Sequence, residues 1–395
     1  RGAGMTRRVV SVIGAGVAVL ACTKALRDER LDPTTFEKSS HLGGLWHYDE
    51  SREGGGGPAY RSLRTNVSRH GMGFSDHPIP ESLPDFPSHR QILEYLESYA
   101  DRFGLRRHLR LEHEVLAVRR ASDQWELDAR GGGALRTRRF DAIMVCSGRH
   151  QTPRWPVLEG RESFRGELVH SMGYTEPGPF AGRTVLVLGV GSSGVDLAEE
   201  LAPVARRTLL STSRGAWFIP RTIRGRPADH NVTRLGNLLP RRLRQKVFRR
   251  LVEGEYRARG VDLASCRMPL PPFDLLRSRL TPGSDLVRLI AEGRIEVVPE
   301  IRRLHPEAVE LADGRREAVD VVLAATGYRV ELPFFDPGLI PWQGRTPRLY
   351  KHIFAPRPSG LAFVGVPWVI GAYPPVLELQ ARWAARVFAG RSALP

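Results

Sequence analysis

Short apolar runs that end in glycine, each followed by a helical stripe, recur along this chain of 395 residues. Val185, Leu186, Val187 and Leu188 lead into Gly189-x-Gly191-x-x-Gly194, after which Val195, Leu197, Ala198 and Leu201 share one helical face. An apolar run over 8–13 leads in the same way into Gly14-Ala15-Gly16, with a helix expected over 20–26 and a strand over 33–36. Ile92, Leu93, Tyr95, Leu96 and Tyr99 form a helical stripe that predicts a helix over 88–103. Alternation predicts strands over 111–118, 124–129 and 134–140 around the turn Gly131-Gly132-Gly133. Further apolar runs predict strands over 141–146, 208–210, 295–298, 308–311, 319–324 and 361–365, then a last helix over 375–388. The stretch 60–87 keeps neither period and is rich in Pro, His and Ser, which makes it a long loop of the functional kind. Strands alternating with helices make the fold α/β with parallel sheets.

Strand, tight glycine turn and helix is the order that holds a dinucleotide pyrophosphate. Gly189 allows the turn, Gly191 lets backbone approach phosphate, and Gly194 lets the helix lie close to the strand. Ser192 and Ser193 stand at the helix entrance, where exposed N–H groups and the positive dipole end attract phosphate. A glycine-rich structural turn is the plainer alternative. In the first unit Gly14 and Gly16 are present, but Val19 replaces the third glycine. A branched side chain there should push the helix off the sheet and loosen whatever the turn holds. Glu37, 23 positions after Gly14, stands where a carboxylate accepts ribose hydroxyls; a solvated strand-end acid is the alternative. Gly43-Gly44-Leu45-Trp46 suggests backbone packed under a flat ligand, or else a tight turn with a buried Trp. After the strand at 208–210, Ser211-Thr212-Ser213-Arg214 contains hydroxyls and a guanidinium but no acid. That set suits an adenosine 2′-phosphate, hence NADPH rather than NADH, unless Arg214 is one more surface arginine. The two glycine turns begin 175 residues apart and read as two dinucleotide sites in one chain.

Composition changes this picture little: 41% apolar and 26% charged residues describe an ordinary globular protein. The net charge of +16 is carried mostly by arginine, as solvated basic faces, with an anionic cofactor or a membrane surface as alternatives. No nucleic-acid-binding motif accompanies it, so nucleic acid is not expected as a partner. The basic stretch 240–260 predicts a helix with Leu243, Val247, Phe248 and Leu251 on one side, packed on its domain. Cys22, Cys146 and Cys266 have no CxxC spacing, so neither a disulfide framework nor a metal site is expected, and Cys22 and Cys146 read as buried filler. No window approaches ~18 consecutive apolar residues, so no membrane span is expected. With no signal peptide in the pattern, the expected location is cytoplasmic.

Two dinucleotide sites with Arg214 beside the second suggest FAD first and NADPH second. Phe164, Gly166, His170 and Tyr174 fit the pattern FxGxxxHxxxY just before the second glycine turn, and here the chain resembles the flavin-containing monooxygenases. Phe36-Glu37-Lys38 with Gly43-Gly44-Leu45-Trp46 is similar to that family's FAD segment, and Thr65-Asn66 to its active-site threonine–asparagine. Cys146-Ser147-Gly148, Ala325-Thr326-Gly327-Tyr328 and Glu378-Leu379-Gln380-Ala381-Arg382-Trp383 resemble further family segments.

The resemblance implies a FAD domain in two parts, 5–172 and 318–395, with an NADPH domain over 173–317 inserted. It implies FAD contacts from Gly14, Gly16, Glu37, Lys38, Leu45, Trp46, Thr65, Asn66, Thr326, Gly327 and Gln380. NADPH contacts would come from Gly189, Gly191, Ser192, Ser193, Gly194, Ser211, Ser213 and Arg214, with His170 and Tyr174 linking the domains around the nicotinamide. Asn66 would bond near the reactive edge of the flavin and hold retained NADP. The implied reaction is oxygenation of a small-molecule amine or sulfide by dioxygen through a flavin 4a-hydroperoxide. A homodimer is the candidate assembly. Tyr174 resembles the heteroatom-oxidising members, whereas Baeyer–Villiger relatives carry Trp there. Three alternatives stand beside this one: a Baeyer–Villiger enzyme, a flavin disulfide reductase, and a binding protein that lost turnover through Val19.

Overall fold

The computed structural model describes residues 7–50, 57–261, 280–283 and 285–394; Cys266 lies outside them. The chain divides into two compact units, Arg1–Thr152 with Tyr328–Pro395, and Pro153–Gly327. In the first unit, β1 (Val9–Ile13), helix α1 (Val17–Asp28) and β2 (Asp32–Phe36) form a parallel strand–helix–strand unit, with Val9 opposite Asp32 and Ile13 opposite Phe36. Helix α2 (His89–Arg102) begins at a capping box: Gln91 N donates to Ser88 Oγ, and Ser88 N donates to Gln91 Oε1. Strand β3 (Leu109–Arg110) lies beside β2. A meander of β4 (His113–Ala121), β5 (Gln124–Gly131) and β6 (Ala134–Phe140) follows, and β7 (Ala142–Val145) returns beside β1.

The second unit carries its own parallel sheet of β8 (Glu167–His170), β9 (Thr184–Leu188), β10 (Arg207–Ser211), β11 (Ile295–Val298) and β12 (Val321–Ala324), in the order β11-β10-β9-β12-β8. Helix α3 (Ser192–Leu201) follows β9 and buries Val195, Leu197, Ala198 and Leu201 completely. Because β8 and β12 pair with each other inside this sheet, the unit takes in 153–172 and 318–327, which the resemblance groups with the FAD domain. Helix α4 (Arg241–Ala258) forms as the basic stretch predicts, but its buried residues are Val252 and Tyr256, while Leu243 and Val247 are exposed. The apolar side expected to pack is therefore only partly covered.

The chain then returns to the first unit, where β13 (Leu361–Phe363) completes the order β13-β7-β1-β2-β3 and α5 (Tyr373–Phe388) packs with α1. Side chains alternate across this sheet. Val10, Val12, Met144 and Ala362 face α1 and α5, whereas Ile13, Val145 and Phe363 face the meander residues Trp125, Leu127 and Phe140. A parallel sheet buried on both faces needs such unbroken apolar runs, which is why they stood out in the sequence. Among the described residues no helix is long and apolar enough to cross a membrane.

Candidate functional site

Each parallel sheet presents a glycine turn at the carboxyl end of its central strand. Gly14 has φ +117°, and a Cβ there would lie 2.7 Å from the Cys146 carbonyl oxygen. Gly189 repeats this at φ +113°, with a Cβ 2.8 Å from the Ala325 carbonyl oxygen. Only glycine fits both demands. Gly16 and Gly191 are the N-caps of α1 and α3, and neither helix has a side-chain cap, so both helix entrances keep orphan N–H groups for a phosphate.

In the first unit the segment after β2 folds over this turn. Gly43 N donates to the Ala15 carbonyl (2.9 Å), and a Cβ on Gly44 would come within 2.9 Å of Gly16 Cα. Gly44–Trp46 is a turn of 3₁₀-helix with Trp46 buried and Leu45 packed on the core. The Glu37 carboxylate at the end of β2 accepts from Ser39 N (2.9 Å) and Ser39 Oγ (2.8 Å), which holds it at the edge where a ribose is read. Lys38 is exposed. Thr65 is 1% exposed, and its Oγ1 has no hydrogen-bond partner among the described residues. Buried hydroxyls are normally bonded, so this orphan fits a bound polar group. Its backbone is pinned by Thr65 N to Pro87 O (3.0 Å), with Asn66 half-buried beside it. Gln380 on α5 is buried and accepts from Gly365 N (3.1 Å), tying the turn after β13 to the helix. A left-handed turn free of Cβ, an open helix entrance, an oriented carboxylate and an orphan hydroxyl fit FAD.

In the second unit Gly194 is indispensable, since a Cβ would fall 2.0 Å from the Gly189 carbonyl oxygen. Ser192 and Ser193 are half-buried in the first turn of α3. Ser213 and Arg214 are exposed just beyond β10, and Arg214 has no carboxylate partner among the described residues. Ser211 points elsewhere: it is fully buried, and its Oγ donates to the Pro299 carbonyl (2.8 Å). A 2′-phosphate fits Ser213 and Arg214, not Ser211.

His170 and Tyr174 each hold hydrogen bonds within the second unit. His170 Nδ1 accepts from Met172 N (3.1 Å) and Nε2 donates to the Gly327 carbonyl (3.1 Å), which fixes a neutral tautomer; burial pushes its pKa below the usual range. Tyr174 is 1% exposed and donates to Glu200 Oε2 (2.7 Å), so burial and then the Glu200 charge push its pKa far up. Thr326 and Gly327 are drawn into the same knot. Arg154 donates twice to the Thr326 carbonyl (2.9 and 2.7 Å) and its N to Gly327 O (2.9 Å), while Thr326 Oγ1 donates back to Arg154 O (2.5 Å). Nothing in the sequence pattern singled out Arg154.

Cys22 and Cys146 are buried and unbridged, in keeping with their reading as filler, and they also meet each other. Their sulfurs lie 3.4 Å from each other, both buried, where α1 passes the end of β7. Burial pushes the Cys22 thiol well up, which keeps it a thiol rather than a nucleophilic thiolate. Among the described residues no group of three metal-ligating side chains occurs.

The flavin-binding monooxygenase-like family model matches residues 7–395. The chain is 36% identical to flavin-containing monooxygenase 5 of Rattus norvegicus, over 99% of this chain and 75% of that protein. It is 35% identical to dimethylaniline monooxygenase [N-oxide-forming] 2 of Mus musculus, over 99% and 75%. Among solved structures it resembles the S-allyl-L-cysteine S-oxygenase of Allium sativum, with TM-score 0.73, 28% identity, and coverage of 99% and 79% of the two chains. With two glycine cradles built for dinucleotides and this match along its length, the chain belongs to the flavin-binding monooxygenase-like family, as an NADPH-dependent enzyme that uses FAD.

Proposed function

We propose that this monooxygenase transfers oxygen from dioxygen to a nucleophilic nitrogen or sulfur of a small molecule. The observation that carries this is the chemistry in the relatives' names: one forms an N-oxide of dimethylaniline, another oxygenates the sulfur of S-allyl-L-cysteine. Tyr174, the residue type of the heteroatom-oxidising members, supports the same side against Baeyer–Villiger chemistry. When bound, NADPH supplies the hydride and FAD the oxygen-activating ring. The remaining work belongs to the chain. Gly14, Gly16 and the entrance of α1 would hold the FAD pyrophosphate, and Glu37 its ribose. Gly189, Gly191, Gly194 and the entrance of α3 would hold that of NADPH, with Ser213 and Arg214 on the 2′-phosphate. Thr65 would give its orphan hydroxyl to the flavin, and Asn66 would orient the ring and keep water from the reacting oxygen.

The test offers the FAD-loaded enzyme NADPH with a tertiary aryl amine, a thioether and a cyclic ketone, and counts product per NADPH consumed. N-oxide or sulfoxide without lactone is the expected result; lactone as the sole product would overturn the proposal. Asn66→Ala should keep FAD bound yet divert most turnover to hydrogen peroxide. An unchanged product-to-NADPH ratio would make Asn66 an ordinary loop residue.

A further inference from the structure

The meander β4–β6 sorts its arginines by face. On one face every described cation has a carboxylate: Arg139 pairs with Glu126 (2.8 Å), Arg119 with Asp128 (2.7 Å) and Arg130 with Glu114 (2.7 Å). The other face carries Trp125, Leu127, Ala129 and Gly131 on β5 opposite Phe140, Arg138, Arg136 and Ala134 on β6. Its buried end packs on the flavin-side sheet. Where that core runs out, Arg136 and Arg138 meet Arg110 of β3 and His113 of β4 around a shallow surface notch. Phe36 and Ala129 form its apolar floor, and no carboxylate lines it among the described residues.

None of Arg110, Arg136 and Arg138 has a carboxylate partner among the described residues. All three are exposed, and like charges gathered on one concavity give it a positive potential that draws anions. The shape also reads as a built site. A Cβ on Gly131 would lie 2.4 Å from the His113 ring, so glycine there lets the imidazole lie flat in the notch. His113 Nδ1 donates to the Leu111 carbonyl (2.8 Å), which fixes the ring and turns Nε2 away from that bond. Planar guanidinium forks match the oxygens of phosphate, and the absence of acids excludes a metal cation.

We propose that this notch binds a phosphate-type anion, either inorganic phosphate or the phosphate of a small ester. Its lining shares no residue with either glycine turn. It is nevertheless tied to the ribose-reading residue, because Glu37 N donates to Arg110 O (3.0 Å) and His113 N donates to Glu37 O (2.7 Å).

The experiment titrates inorganic phosphate, AMP and chloride calorimetrically into enzyme loaded with FAD and saturated with NADP⁺, at fixed ionic strength. Those cofactors fill the two dinucleotide sites, so any phosphate heat beyond chloride reports a third. Saturable one-to-one binding is expected, weakened at least about tenfold in Arg136→Gln/Arg138→Gln and unchanged in Arg139→Gln on the paired face. AMP binding tighter than phosphate assigns the ester, and equal affinity assigns the free anion. No heat beyond chloride, binding only in the cofactor-free protein, or equal weakening by Arg139→Gln would each overturn the proposal.

Discussion

Val19 sits where Gly194 sits in the second unit, yet it is completely buried and the turn beside it is undisturbed. Gly14 N still donates to Phe36 O at 2.8 Å, matching Gly189 N to Ser211 O at 2.9 Å. The adjustment lies in the helix. Leu20 N to Gly16 O is stretched to 3.4 Å and Val19 N takes the Gly16 carbonyl at 3.0 Å, whereas Val195 N reaches Gly191 O at 3.0 Å. A first turn drawn toward 3₁₀ geometry makes room for the isopropyl group while leaving the phosphate cradle in place. We therefore expect Val19→Gly to alter the FAD dissociation constant by less than about threefold. The same change should cost about 2–4 kcal/mol of stability, through the lost buried side chain and the helical glycine. Fluorescence titration and thermal melts check both, and FAD held tenfold more tightly would restore the sequence-based expectation of a helix pushed outward. The nucleotide end separates Ser211 from Arg214 in the same way. Arg214→Ala should weaken NADPH by roughly ten- to a hundredfold and leave NADH unchanged, as loss of a charge-assisted contact of ~1.5–3 kcal/mol does. Ser211→Ala should keep the preference for NADPH. Initial rates with both nucleotides decide it, and equal loss in the two variants would count against the assignment. The sequence showed a hydroxyl at 211 but not its direction, because one residue's parity at a strand end decides between cofactor and core. That Cys22 and Cys146 touch was not legible for a related reason: a contact across 124 positions leaves no local pattern.

At the scale of elements the sequence was most legible where periodicity runs long. The runs before both glycine turns, the stripe of α2 and the meander all appear as read, because burial on one or two faces imposes a repeat of 3.6 or 2. Helix α4 shows the limit of the same reasoning. Its length was legible, but an apolar side predicts a packed face only when another element arrives to cover it, and Leu243 and Val247 remain exposed. The long loop over 60–87 was legible only as irregular; what holds it is the start of α2. His89 N donates to Leu63 O (2.9 Å), Arg64 bridges to Ser88, and Thr65 N donates to Pro87 O (3.0 Å). The capping box therefore anchors the strand-like stretch that carries Thr65 as well as the helix. Ser88→Ala should lower the stability of the first unit by about 1 kcal/mol. Gln91→Ala should cost less, since it leaves the serine hydroxyl on its N–H. The measurement is urea unfolding followed by flavin release, which reports the unit holding Thr65; an unchanged midpoint for Ser88→Ala would mean the cap is redundant there.

At the scale of the whole molecule, two sheets, two glycine turns and their order were legible, because each unit repeats one strand–turn–helix grammar. Where the units divide was not, since that depends on which strands pair, and β8 and β12 are too short to announce a partner. Acid sensitivity is a property of the same scale. Among the described residues six histidines, His41, His47, His77, His89, His108 and His170, have pKa values lowered, in each case chiefly by burial. His41 and His47 stack at 3.2 Å between ring centroids, and a charge on His41 further lowers His47. These rings flank the segment that packs on Gly16. The sign follows from proton linkage. Below the ordinary histidine pKa of about 6.5 the unfolded chain takes up protons that the folded chain refuses, so stability is complete above that pH and falls as pH drops through it. Glu199, whose pKa is raised by burial, works in the opposite direction, one group against six. Carboxylates held low by arginine, such as Asp101, Asp128 and Glu310, contribute only once the pH approaches about 4. The melting temperature of the FAD-loaded enzyme should therefore decline steadily from about pH 7.5 to about pH 5.5 at constant ionic strength. In His41→Gln/His47→Gln that decline should be shallower, because the stacked pair no longer resists a second proton. A melting temperature that stays flat or rises across this interval would show that the buried histidines do not govern stability.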